Sequence, residues 1–165
     1  MTDSGNATVH ASAVRVDTRA VLIRGPSGSG KSRLAFDLIL AGRAGQIPKA
    51  VLIGDDRVHL QATKGQLVVR PAAELVGLIE IHGLGIRRCD FAEQAFVGLV
   101  VDLSAGDAER LPAPEALQAH ISGVMVPRIP VRAGFAPLPM VIAALTMAES
   151  SPFEHSARGL LEGNW

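Results

Sequence analysis

RGPSGSGKS, residues 24–32, meets the pattern G-x-x-x-x-G-K-S in full through Gly25, Gly30, Lys31 and Ser32. Between them, Pro26, Ser27, Gly28 and Ser29 form a short loop in which glycine torsions let consecutive backbone N–H groups curl around a polyphosphate. A cluster of glycine and serine is ordinarily a turn, so its surroundings decide the matter. Residues 20–23 are an apolar run suited to a buried strand. Residues 31–40 place Leu34, Ala35, Leu38 and Ile39 on one helical face, and Gly42 is expected to end that helix. This strand, loop and helix order predicts a phosphate cradle at a helix N-terminus, where backbone donors lack intrahelical acceptors and the helix dipole is positive. Lys31 then faces the β- and γ-phosphates, and the Ser32 hydroxyl faces a magnesium ion.

The chain has 165 residues, 48% of them hydrophobic, enough for one sizeable core. The expectation is a single domain over residues 1–165, with residues 1–7 disordered. Sixteen basic residues balance sixteen acidic ones, so no net field recommends nucleic acid or an anionic membrane as a partner. The one cysteine, Cys89, permits no internal disulfide and suits a reducing compartment. The opening MTDSGNATVHAS has neither the basic nor the apolar region of a secretory signal. The apolar residues 138–148 fall short of the ~20 that a membrane span needs. A cytoplasmic protein without a membrane partner is expected.

Further strands are predicted at residues 49–53, 58–60 and 67–69, the last two joined by a hairpin turn at Lys64-Gly65. Others are predicted at residues 97–103 and 124–131, where Pro127 and Pro130 place the second near a sheet edge. Pro139 is the expected first residue of a C-terminal helix over residues 139–149. The sum is an α/β domain: a mixed sheet around a phosphate loop, with flanking helices.

Two further stretches bear on chemistry. LIGDDRV ends a buried strand on Asp55 and Asp56, and a carboxylate pair beside a phosphate loop suits phosphoryl transfer, one member near the metal and one near the attacking hydroxyl. An aspartate pair can also simply open a turn. IEIHGLGI alternates apolar residues with Glu80 and His82 before two glycines around a leucine, a strand that runs into backbone needing unusual torsions. Spacing alone leaves Glu80 open between a metal ligand and a solvated strand residue.

GPSGSGKS, LIGDDRV and IEIHGLGI, in this order, resemble the catalytic domain of HPr kinase/phosphorylase, which phosphorylates a serine of the phosphocarrier HPr. The likeness runs from about His10 to Met147, and its extent resembles the short form of the family that consists of the catalytic domain alone. The resemblance implies a P-loop mixed sheet of the HPr kinase and PEP carboxykinase type, ATP and Mg²⁺ as cofactors, an HPr-type protein as partner, and a homo-oligomer, hexameric in the family. It implies Asp56 as the base that takes the serine proton, with Asp55 as the alternative. It further implies His10 as an active-site residue, Lys31 on the phosphates, Ser32 and Glu80 at magnesium, and Arg110, in Glu109-Arg110-Leu111, on the transferring phosphoryl group.

The chain departs from the family pattern at three places, one of them the longer stretch GRAGQIPKA between the helix and the aspartate pair, expected as a surface loop. His82 stands where the signature has arginine, and in PVRAGFA Phe135 replaces a polar residue beside Arg132 and Gly134. These last two departures bear on phosphorolytic removal of the phosphate, with pyrophosphate as product, more than on the kinase direction. Readings from other classes are a small-molecule P-loop kinase, which should carry an arginine-rich lid, and a nucleotide-sensing module without turnover.

Overall fold

The computed structural model describes residues 7–149. The N-terminal disorder expected of residues 1–6 lies outside them, while Ala7 lies within and its carbonyl oxygen sits 3.1 Å from Nδ1 of His59. In chain order the elements are β1 (Val9–His10), β2 (Ser12–Val16), β3 (Arg19–Arg24), α1 (Lys31–Arg43), β4 (Ala50–Gly54), β5 (Arg57–Thr63) and β6 (Gln66–Pro71). They continue as β7 (Leu78–Ile81), β8 (Gly85–Arg88), β9 (Ala95–Leu103), β10 (Gln118–Ile121), β11 (Val124–Val131) and α2 (Pro137–Thr146). A large mixed sheet holds most strands in the order β1-β5-β6-β9-β3-β2-β4, and β7 and β8 form a separate antiparallel hairpin.

The sheet aims four parallel strands at one edge. β3 and β9 are parallel, β9 and β11 are parallel, and β2 lies antiparallel between β3 and β4. The C-terminal ends of β4, β3, β9 and β11 therefore share one side of the domain, the side on which open α/β sheets bind their ligands. β9 divides its second edge, pairing its start with β6 and its end with β11.

Alternation along each strand separates two apolar layers. On β3, Val21 and Ile23 face α1 and join Leu34, Leu38, Leu52 and Val101, while Ala20 and Leu22 face the opposite cluster with Ile53, Val58, Leu67, Val69 and Val100. The predicted helical face is the buried one, Leu34, Ala35, Leu38 and Ile39. Burial of a leucine such as Leu38 contributes about 2 kcal/mol.

The structure corrects two expectations. Gly42 does not stop α1, which continues to Arg43. A Cβ there would lie 2.8 Å from the backbone nitrogen of Ala50, so the glycine permits close approach of helix and strand instead of supplying a helix terminator. The second helix begins at Pro137, two residues before Pro139. β11 lies near the edge as its prolines imply: residues 124–127 pair with β10 only and residues 128–131 with β9 only, so the prolines are tolerated because each half uses one ladder. Lys64 and Gly65 do make the hairpin turn, with φ of 51° and 74°.

Candidate active site

β3 delivers the chain into residues 25–30, and packing fixes what the first of these can be. A Cβ on Gly25 would lie 2.7 Å from Oγ of Ser29 and 3.1 Å from the carbonyl oxygen of Leu103, so the loop folds tightly against the end of β9 only without a side chain there. Gly30 precedes α1 at φ 100°. No side chain caps α1 and no acidic residue occupies its first turn. Its first N–H groups are thus left for an anion. The Ser29 hydroxyl is buried without a partner among the described residues, a second donor suited to a phosphate oxygen. Pro26, Ser27 and Gly28 form the exposed lip of the loop. Lys31 folds over it, its Nζ donating to the carbonyl oxygens of Gly25 at 2.8 Å and Pro26 at 3.0 Å.

The two adjacent aspartates have opposite surroundings. Asp55 is 4% exposed. Its Oδ1 accepts from the hydroxyls of Ser12 at 2.6 Å and Ser32 at 2.8 Å, and its Oδ2 accepts from Ser32 at 2.9 Å and from the backbone N–H of Glu80 at 3.1 Å. Asp56 is turned outward at φ 68°, a region non-glycine residues seldom adopt. Its side chain is 64% exposed, and Oδ1 lies 3.8 Å from Nδ1 of His10. Arg57 holds the far side of that imidazole, Nη2 to Nε2 at 3.2 Å. Strand β1 therefore brings His10 to Asp56, and β2 brings Ser12 to Asp55.

The remaining expected residues are less closely gathered. Glu80 reaches Asp55 through its backbone, and its side chain is exposed. Arg110 lies exposed in residues 104–113, with no hydrogen bond or ion pair to the loop or the aspartates. His82, Arg132 and Phe135 are exposed as well. Among the described residues no cluster of three or more histidine, cysteine or acidic side chains makes a preformed metal centre. The Ser32 hydroxyl and the Asp55 carboxylate nevertheless meet as adjacent hard oxygen donors, a set that fits magnesium, which keeps waters and shares phosphate oxygens instead of filling a protein cage.

Sequence reasoning missed one charged group at this edge. Arg24 donates to both oxygens of Asp102, Nε at 2.7 Å and Nη2 at 2.8 Å, and Nε of Arg128 donates to the same carboxylate. Arg128 also makes a forked pair to Asp107, at 2.7 and 3.0 Å, and donates to the carbonyl of Ala116. Burial opposes the charge on Asp102, yet hydrogen bonds from Arg24 and Arg128 outweigh it and hold the carboxyl below its ordinary value. The hydrogen bond from Arg128 likewise lowers Asp107. The only sequence signal was an acidic residue at the end of an apolar run. Its partner Arg24 lies 78 positions away.

Comparison with known proteins bears on this arrangement. The HPr kinase/phosphorylase of Enterococcus faecalis is 38% identical over 141 residues, covering 77% of this chain and 43% of that protein. That of Mycoplasma mycoides is 39% identical over 83 residues, 50% of this chain and 24% of that protein. The chain thus matches less than half the length of these curated relatives. The solved Hpr(Ser) kinase/phosphatase from Coxiella burnetii superposes with a TM-score of 0.66 at 27% identity, covering 95% of this chain and 99% of that one. The family model for the HPr serine kinase C-terminal domain matches residues 4–151. With the phosphate loop, the aspartate turn and the β7–β8 hairpin in their order, the chain belongs to the HPr serine kinase C-terminal domain family.

Proposed function

We propose that this domain transfers the γ-phosphoryl group of ATP to a serine hydroxyl of an HPr-type phosphocarrier protein. The observation that supports it most is the split aspartate pair: one carboxylate buried against the phosphate-loop serine, its neighbour turned out to solvent beside a histidine. The loop N–H groups and Lys31 hold the triphosphate and neutralise charge on its outer phosphates. Ser32 and Asp55, with Glu80 brought nearby by β7, hold Mg²⁺. Bound there, the ion supplies Lewis-acid stabilisation of the phosphoryl oxygens. Asp56 accepts the proton of the incoming serine as its oxygen attacks the γ-phosphorus in line, and exposure of that carboxylate leaves room for a protein acceptor. His10 orients Asp56. By resemblance, Arg110 is the residue that stabilises the transferring group. In reverse, an oxygen of inorganic phosphate attacks the phosphorus of phosphoserine, the bond from phosphorus to the serine oxygen breaks as a protonated Asp56 returns the proton to that oxygen, and pyrophosphate is the product.

By resemblance the acting form is a homo-oligomer in which α2 takes part, a point for light scattering of the purified protein. No helix among the described residues is long and apolar enough to cross a membrane.

Mass spectrometry of HPr incubated with this protein, Mg²⁺ and ATP tests the reading, with Lys31→Ala and Asp56→Asn beside the parent. Phosphoserine that forms with the parent and is lost in both variants is the expected result. Phospho-HPr incubated with inorganic phosphate then tests the reverse step through pyrophosphate release. ATP binding with HPr left unmodified would overturn the kinase reading in favour of a sensing role.

A further inference from the structure

Among the described residues only two polar ones are buried as whole residues, Asp55 and Ser12, and they touch each other. Ser12 opens β2, whose alternation places Val14 and Val16 on the same face, in the apolar layer beneath α1. A hydroxyl at a wholly buried position of such a strand costs stability unless it is hydrogen-bonded, and an alanine or valine there would satisfy the layer alone. Packing therefore does not account for it.

Its bonds reach both members of the aspartate pair. The Ser12 hydroxyl donates to Oδ1 of Asp55 at 2.6 Å, and its oxygen accepts the backbone N–H of Asp56 at 3.4 Å. Oδ1 of Asp55 is also the oxygen nearest the Ser32 hydroxyl. The ladder between β2 and β4 shifts register between Ala13 and Val14, one residue past Ser12. Such an irregularity re-aims the chain beside a site. Ser12 also pairs with Ile23 of β3, one residue before the chain turns into the phosphate-loop approach at Arg24.

We infer that Ser12 is a positioning residue of the aspartate pair: one hydroxyl aims the Asp55 carboxylate at Ser32 and pins the Asp56 backbone in its outward, left-handed conformation. It touches no reacting atom. This inference rests on the kinase reading for its effect on turnover, while its effect on cation binding can be measured without any acceptor.

The test uses Ser12→Ala together with the isosteric pair Ser12→Thr and Ser12→Val. The last two add the same bulk and differ in the hydroxyl, so any disturbance of packing cancels between them. Titration calorimetry of Mg²⁺ with a non-hydrolysable ATP analogue should show affinity about tenfold weaker in Ser12→Ala and Ser12→Val, and within about threefold of the parent in Ser12→Thr. With HPr as acceptor, kcat should fall at least about tenfold in the two variants without a hydroxyl while KM for HPr stays within about twofold, the pattern of a lost positioning contact. Ser12→Val binding the Mg²⁺ complex as well as Ser12→Thr would overturn the inference, as would a parent-like Ser12→Ala. A parent that leaves HPr unmodified would count against the kinase reading alone, because the calorimetric difference still reads the hydroxyl.

Discussion

Asp55 and Asp102 flank the phosphate loop on opposite sides of β3, and their surroundings are chemically reversed. Asp102 is clamped by two guanidinium groups, Arg24 and Arg128, so its charge is already answered within the protein. Asp55 is more deeply buried, yet its partners are two hydroxyls and a backbone amide, with no cationic side chain bonded to it. Neutral donors orient a carboxylate without cancelling its charge. A buried anion left in that state is stabilised further by an incoming cation, whereas one fixed by arginines has little left to offer. On the proposed function, the difference separates a carboxylate kept for a ligand from one kept for the scaffold.

The strongest way to break this comparison is to neutralise each carboxylate and read activity and stability together. In Asp55→Asn, phosphoryl transfer to HPr should fall by about a hundredfold or more, since the charge facing Ser32 is gone. The melting midpoint should hold or rise, because a buried charge without a cationic partner has been removed. Asp102→Ala should do the opposite. It leaves Arg128, 13% exposed, and Arg24 facing each other without their shared anion. A loss of about 3 kcal/mol in denaturant unfolding is expected, with turnover per folded molecule within about tenfold of the parent. Equal losses of stability in the two variants would erase the distinction.

How far these roles were legible in the sequence follows the same division. The loop, α1 and the LIGDDRV strand announced themselves through local spacing, and of the two aspartates it is Asp55 that meets the loop serine. That Asp55 and Asp56 would face opposite ways was not legible, because it depends on a left-handed residue at Asp56 and on β2, whose five residues SAVRV are too short a run to announce a strand. Ser12 in HASAVRV looks like any strand-edge serine until β2 is paired between β3 and β4. The Arg24, Asp102, Arg128 and Asp107 chain was hidden for a similar reason: it crosses three neighbouring strands and the loop after β9 that are remote in sequence. Gly42 misled because glycine serves two ends, the left-handed helix terminator and the close approach of two backbones, and only the packed β4 tells which applies.

A finer cut lies within the scaffold side. Arg128 answers Asp102, Asp107 and the Ala116 carbonyl at once, while Arg24 answers Asp102 alone and is more exposed. Arg128→Met should therefore lower the denaturation midpoint more than Arg24→Met does. It should also loosen residues 104–113, read as faster proteolysis or amide exchange there, since Asp107 belongs to that loop.

The smallest expected effect sharpens the comparison through pH. Asp102 titrates below its ordinary value in the folded protein because its arginine hydrogen bonds outweigh burial. A depressed carboxyl contributes stability that is fully present above its unfolded value, about pH 4, and is lost as pH falls through the folded value. Between pH 6 and 3 the parent should thus lose stability faster than Asp102→Asn, and the gap between their melting midpoints, widest at pH 6, should narrow as acid is added. Asp107 is lowered in the same sense by Arg128, so Asp102→Asn should retain a residual acid slope that disappears in the double variant with Asp107→Asn. A parent and Asp102→Asn whose midpoints fall in parallel would mean that the arginine clamp, for all its geometry, leaves the proton affinity of Asp102 as it is in the unfolded chain.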